Sequence, residues 1–453
     1  MSRPNRRVAS YVRTFLQSSP WITRRVETVS FIDCDSILRR MTLDISMREI
    51  EKASKGCPMY SDRPLVPLAF MKKELLASFN LRNGSGTSIP VVPRNVDTFF
   101  SWSFLCVEAS HCLGVSLEGL PKAVMRHLRE IAFTFPDDAD DVYSKSVRTW
   151  RTPSYWPPKT NEVWRKLIDD TRFNRFLRDF TFNYLLITQV QSKPATQLIK
   201  FSHQQFLSYN KITRSEALGL AAAEFPIDAP SVGWGRSYHL QVEPPSELAV
   251  TALQLFRAMD VDGATPLPAD TYEARIGYGV AQIHTTDSLK AGDYLLSIQM
   301  RVAIPGYLRA LWLSTLLAAS VLGLGDVFLG RLQTAASTKT EAAVALLLVV
   351  PSLVLAYLVR PGEHEVASRL LRNLRYLAGL AGALTYFSGA ALVLGWQGQT
   401  LRIIWSVGVF LVALIAVFVT AAIRRASVDI ADASEYVGST VTQYVVAIRD
   451  HSS

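Results

Sequence analysis

A chain of 453 residues, 49% of them hydrophobic, is long enough to bury sizeable cores and too apolar to be a disordered polyelectrolyte. Its net charge of +9 is uneven: Arg3, Arg6, Arg7, Arg13, Arg24 and Arg25 lie in the first 25 residues with no acidic neighbour, and the remainder is near neutral, which favours anionic lipid over nucleic acid as the basic segment's partner. Four scattered cysteines, Cys34, Cys57, Cys106 and Cys112, do not make a disulfide scaffold and are expected as free thiols in a reducing compartment.

From the N-terminus, Val8, Tyr11, Val12, Phe15 and Leu16 recur at helical spacing, so residues 5–17 are expected as a short basic amphipathic helix, docked on lipid through Arg3, Arg6, Arg7 and Arg13 or on its own domain. Val26–Ile32 and Ile37–Ser46 read as strands. Glu74–Pro93 reads as a hairpin turned at Asn83-Gly84, since paired positive φ angles favour Asn-Gly. The period then lengthens to that of helices over Asn95–Cys112 and Ser116–Phe133, with Leu117, Leu120, Val124, Leu128 and Ile131 as the second stripe. Pro136–Pro158, acidic and then proline-rich, is expected as a loop carrying Trp150, Tyr155 and Trp156. A third helix starts near Thr160 or Asn161 and runs past Leu177; Tyr184–Val190 returns to strand composition. In Tyr294–Ile304 the apolar residues alternate over the whole run, the clearest strand in the chain, and with Tyr238–Val242, Leu248–Leu255 and Ile276–His284 it suggests a small antiparallel sheet beside the membrane.

Four apolar stretches close the chain: 310–330, 342–359, 376–396 and 403–423, each about as long as a helix needs to cross a ~30 Å hydrocarbon layer. Arg360, Arg369, Arg372 and Arg375 in the second link, and Arg424 and Arg425 after the last stretch, belong inside by the positive-inside rule. Both termini are then expected in the cytoplasm, with the chain in the cell's inner membrane. Arginine outnumbers lysine 35 to 13, a bias typical of GC-rich bacterial genomes. The third stretch carries Ala378, Gly379, Gly382 and Ala383, whose small side chains permit close helix contact. Asp326 is the only acid within the four stretches and a candidate for the outer mouth of a pore. Val366, Leu370 and Leu374 mark an amphipathic lead-in to the third stretch, and Ile430 to Ile448 carries a coiled-coil-like seam.

Chemistry-bearing motifs are few. Asp33-Cys-Asp35 at the end of a strand resembles the first motif of haloacid-dehalogenase-type phosphatases, which implies Asp33 as nucleophile, Asp35 as general acid and Mg²⁺ between them, with Asp137-Asp138 as a loose imitation of the family's later acidic pair. Read without the resemblance, Asp33 to Ser36 is a turn joining two strands. Cys106, His111 and Cys112 point in different directions on a helix and do not make a zinc site, His203, His239 and His284 have no nucleophile beside them, and no phosphate-cradling glycine loop is present.

The expected organisation is a basic segment (1–25), a cytoplasmic α+β region (26–230), a β-rich region beside the membrane (231–304), a four-helix transmembrane bundle (305–425) and a cytoplasmic helical tail (426–453). The expected function is a membrane-anchored sensor or scaffold without cofactor, its cytoplasmic region binding a protein or small ligand, as a single chain or a homo-oligomer. An oligomeric channel or membrane-disrupting effector is the second reading and a phosphatase the third.

Overall fold

The structure is a computed structural model and describes residues 4–17, 21–54, 64–73, 77–148, 158–191, 194–207, 212–229, 232, 235–259, 263–266, 272–277, 279–285, 294–334, 349, 353–356, 364–394, 396 and 398–450. Helix α1 (Arg6–Gln17) buries Val8, Tyr11, Val12, Phe15 and Leu16, so its apolar face rests on its own domain. Strands β1 (Ile22–Phe31) and β2 (Ser36–Ser46), helix α2 (Met47–Ser54), and strands β3 (Leu65–Lys72) and β4 (Ala77–Asn83) follow. The turn after β4 corrects the Asn-Gly expectation: the positive φ, 85°, falls on Gly86. Asn83 closes this longer loop, accepting through its side chain from the Thr87 N–H at 2.8 Å and the Ser85 hydroxyl at 2.7 Å.

Helix α3 (Arg94–Leu113) ends on Gly114 in the left-handed region. The expected helix over Ser116–Phe133 is divided: residues 117–119 form a 3₁₀ turn and α4 (Lys122–Phe133) starts after Pro121, which has no N–H to continue a helix through it. The acidic run is helical where a loop is expected. In α5 (Ala139–Arg148), Asp140 and Asp141 occupy the first turn and Lys145 and Arg148 the last, the charge order that the helix dipole favours. Trp150, Tyr155 and Trp156 lie outside the described residues. The third helix is two, α6 (Pro158–Asp169) and α7 (Thr171–Phe182), because Asp170 caps the second by accepting from the Phe173 N–H at 2.7 Å.

Then come β5 (Asn183–Gln189), β6 (Thr196–Phe206), α8 (Arg214–Ala217), β7 (Ala223–Asp228), β8 (Tyr238–Glu243), β9 (Leu248–Met259), β10 (Gly263–Pro266), β11 (Glu273–Ile276), β12 (Ala281–Thr285) and β13 (Tyr294–Val302). They form a seven-stranded sheet in the order β11-β12-β8-β1-β2-β6-β4, a four-stranded sheet β10-β9-β13-β7 and a pair β3-β5. The late strands are therefore not one sheet. β8 pairs in parallel with β1 and brings β12 with it, whereas β13 pairs antiparallel with both β9 and β7. Alternation says which side chains are buried but not which strand is the neighbour.

One face of the seven-stranded sheet floors two cores. Toward β6 and β4, Leu43, Ile45, Phe201 and Leu81 meet the helical layer, which contributes Phe100, Phe104, Trp164 and Phe180. Toward β8 and β12, Val29, Phe31, Leu240 and Ile283 meet the four-stranded sheet, with the Phe31 and Phe225 rings edge-on at 5.4 Å. This second core runs on without a break into the last helices, α9 (Arg309–Thr334), α10 (Glu365–Leu370), α11 (Arg372–Val393) and α12 (Gly398–Asp450).

Ile304–Phe328 and Gly398–Asp429 are long and apolar enough to cross a membrane, with mean hydropathies of 1.7 and 2.7. Only 28% and 33% of their most apolar windows are buried, and large apolar side chains such as Leu324, Val327, Phe410 and Val417 face outward, which points to association with a membrane. Of the other two expected spans, the third lies along α11 and most of 342–359 falls outside the described residues. The lead-in appears as α10 and the first turn of α11, with Val366, Leu370 and Leu374 buried. The seam from Ile430 to Ile448 lies on the end of α12, its side chains outside the described residues.

Candidate functional site

Two clusters of buried polar side chains emerge, one between the two cores and one where the sheets meet the last helices. The first begins with a register shift in β1 between Ile22 and Arg24, after which Arg25 and Glu27 share the inward face with Val29 and Phe31. Pairing places Arg39 opposite Val29 and His203 opposite Arg39, while Tyr238 lies opposite Arg25. Glu27 is the hub. It accepts from Arg39 Nε at 2.7 Å, from Arg39 Nη2, from Arg25 Nη2 at 3.5 Å and from the Tyr238 hydroxyl at 3.2 Å. Arg39 Nη1 also reaches Gln205 Oε1 at 2.7 Å and the Asp228 carbonyl at 2.6 Å, joining the seven-stranded sheet to the end of β7.

Burial alone pushes the Glu27 carboxyl up, but the two arginines outweigh it and hold it below its ordinary value. Burial pushes His203 down to about 3, with Arg39 adding to the effect, so the ring is neutral. Burial likewise raises Tyr238 well above its ordinary value and keeps its proton in place for Glu27. Of this polar seam only His203 and Arg25 stand out in the sequence, and Arg25, read there as one of the basic segment's lipid-facing charges, is instead buried against Glu27. The signal is present as Arg25 and Glu27 at alternate positions in β1 and Arg39 among apolar residues in β2, but without the pairing it reads as a solvated face. The chemistry is that of a structural ion network: every acidic oxygen of Glu27 is engaged.

The second cluster ties sheet to helix. At the tip of the β1–β2 hairpin the Cys34 thiol donates to Glu365 Oε1 at 3.1 Å, His364 Nε2 donates to the Phe31 carbonyl at 3.0 Å, and Arg369 pairs with Asp35 at 3.3 Å. Burial, with the Glu365 and Asp35 carboxylates beside it, pushes the Cys34 thiol up to about 12, so it acts as a donor and not as a thiolate. Across the junction, Arg301 at the end of β13 pairs with Asp429 of α12 at 2.5 Å. Arg375 Nη1 donates to Ser368 Oγ at 2.7 Å, next to Tyr307 in the turn Ile304–Leu308.

Asp33 and Asp35 lie in the tip itself, where Asp33 Oδ1 accepts from the Asp35 N–H at 2.9 Å. β1 also pairs in parallel with β8, but it is joined directly to the antiparallel β2, so the strand-to-helix turn on which the phosphatase resemblance depends is not found at these residues. Asp137 and Asp138 sit in the short turn before α5. Arg6 and Arg13 pair with Glu118 and Glu108, Arg7 is exposed, and Arg3 lies outside the described residues. Ala378 and Gly382 are buried, Gly379 half-buried and Ala383 exposed. Asp326 accepts from Ser406 of α12 at 3.2 Å. Among the described residues Cys34, Cys106 and Cys112 are free thiols, and no group of three or more His, Cys, Asp or Glu side chains is placed to hold a metal. His239 and His284 stack at 3.9 Å across β8 and β12.

No protein-family model matches the chain, and no curated protein is significantly similar to it.

Proposed function

We propose that the chain is a multi-pass protein of the inner membrane whose sheet-bearing region lies in the cytoplasm and serves as a binding module, for a protein or small ligand, fixed to the membrane helices. One observation carries this reading: the hairpin tip bonds to α10, and β13 bonds to α12 beyond its apolar run. Both contacted segments are the arginine-rich ones that charge bias assigns to the inner side. The sheets and those segments then share one side of the bilayer, as an even number of crossings requires. Several bonded contacts make the joint stiff, so a change of shape in the sheets on binding is transmitted to the helices.

The reading is tested by labelling in intact cells, in a background without native cysteines. A cysteine at Gln397 reacts with an impermeant maleimide and one at Gly362 does not; the opposite pattern inverts the orientation. Mass spectrometry of the detergent-purified protein, with its oligomeric mass, then reports what it retains. Magnesium-dependent phosphate-ester hydrolysis abolished by Asp33→Asn would replace the binding reading with the enzymatic one.

A further inference from the structure

Buried hydrogen-bond donors normally find acceptors, and a donor left without one costs about 1–3 kcal/mol. Where the last strand hands over to the helices, three side chains depart from this together. Arg375, in the first turn of α11, is 8% exposed, and its Nε is buried without an acceptor. Tyr307 faces the charge of Arg375 and has a buried hydroxyl that is also unpartnered. Arg301 is likewise 8% exposed; Asp429 takes its Nη2, and its Nε and Nη1 are buried without partners.

The fold brings these residues to one level. The turn bearing Tyr307 packs on both α9 and α12. A Cβ on Gly219 would lie 3.7 Å from Leu374 and 3.8 Å from Ala422, so the start of α11 and this stretch of α12 flank the same loop. Arg425, one turn before Asp429 on α12, adds its charge beside Arg301. Arg301 has Asp429 as its carboxylate, whereas among the described residues Arg375 has none, which leaves a positive surplus at Arg375.

Every unpartnered atom here is an N–H or O–H donor, so what completes the cluster is an acceptor, and the surplus charge makes it an anion. A phosphate group offers several oxygens to donors arriving from different directions, and guanidinium groups suit it. The location supplies the source. One candidate membrane helix begins at Ile304 and the other ends at Asp429, the depth at which phospholipid headgroups lie. We infer that Arg375 and Tyr307 hold the phosphate of an anionic phospholipid. This rests on the membrane reading above and is distinct from the basic N-terminal helix.

The test uses the full chain in nanodiscs of phosphatidylcholine, alone or mixed with phosphatidylglycerol, with retained lipid counted by native mass spectrometry. The wild-type protein should retain phosphatidylglycerol over phosphatidylcholine by roughly tenfold or more, and Arg375→Gln and Tyr307→Phe should each reduce that preference about tenfold, equivalent to ~1.4 kcal/mol. Arg424→Gln, an exposed neighbour, should leave it unchanged. Tyr307→Phe removes one oxygen, so an unchanged melting temperature in phosphatidylcholine separates loss of the site from loss of the fold. Equal phosphatidylglycerol retention by the wild type and both variants would overturn the site. Displacement of the lipid by millimolar inorganic phosphate would overturn the lipid as its source. A chain that does not float with vesicles would fail earlier, at the membrane reading itself.

Discussion

The two cores on the seven-stranded sheet share a floor and differ in how they are closed. The core under the helical layer is sealed by aromatic side chains, with Trp21, just before β1, Phe100 and Phe104 of α3, Trp164 of α6 and Phe173 and Phe180 of α7 almost wholly buried. The core under the four-stranded sheet stays open at one end and continues into α9, α11 and α12, whose outer faces expose leucine, valine and phenylalanine. A core that stays open toward helices with outward-facing apolar side chains points to association with a membrane, whereas the first core is closed by the chain's own residues. Between them runs the polar seam of Arg25, Glu27, Arg39, His203 and Tyr238.

Removing the hub of the seam has the largest expected effect on this division. Glu27→Ala leaves Arg25 and Arg39 buried without their carboxylate and should destabilise the fold by about 3–5 kcal/mol, read by denaturant unfolding of the purified chain. A loss below about 1 kcal/mol would mean that the seam is not the closed ion network described.

The membrane-ward core is probed at Gly325. A Cβ there would lie 1.9 Å from the Trp405 ring, whose indole N–H donates to the Ser388 carbonyl at 3.0 Å and joins α12 to α11. Gly325→Ala should therefore cost about 1–3 kcal/mol through overpacking. Gly323→Ala, on the same helix with nothing within 4 Å of its Cβ, should not. Equal melting temperatures for the two variants would show that α9 and α12 do not pack as described.

Acid sharpens the comparison, because it strikes the seam first. His203 is held neutral with its value near 3, so the unfolded chain takes up a proton below its ordinary value of about 6.5 and the folded chain does not. Stability is present above that value and falls with pH, by about 2 kcal/mol at pH 5. Glu27, lowered in the fold, acts in the same direction further down, its contribution being lost as pH falls below the ordinary carboxylate range and through its folded value. His203→Gln should flatten the stability profile between pH 5 and 7; an unaltered slope would place the pH dependence elsewhere.

The smallest effect belongs to the hairpin tip. The Asp35–Arg369 pair is 58% and 43% exposed at its two side chains, so Asp35→Asn should change stability by less than about 1 kcal/mol, an effect screened further by salt.

Much was legible in the sequence because it depends on local periodicity. The strands β1, β2, β5 and β13, the helices α1 and α3 and the lead-in α10 follow from apolar spacing, and the apolar runs of α9 and α12 follow from length and composition. Breaks that hinge on one residue were harder to read. Pro121 and Asp170 each interrupt what periodicity shows as a continuous helix, and Asn83 closes a longer turn through its side chain. The seam and the cluster around Arg375 and Tyr307 were out of reach for a different reason. Glu27 and Arg39 are 12 residues apart and Glu27 and Tyr238 are 211 apart, and an arginine becomes a buried partner instead of a solvated charge only when pairing of distant strands places it there. Spacing sets which side chains share a face; only the tertiary structure decides what that face meets, because strand partners and helix neighbours are chosen by burial summed over the whole chain.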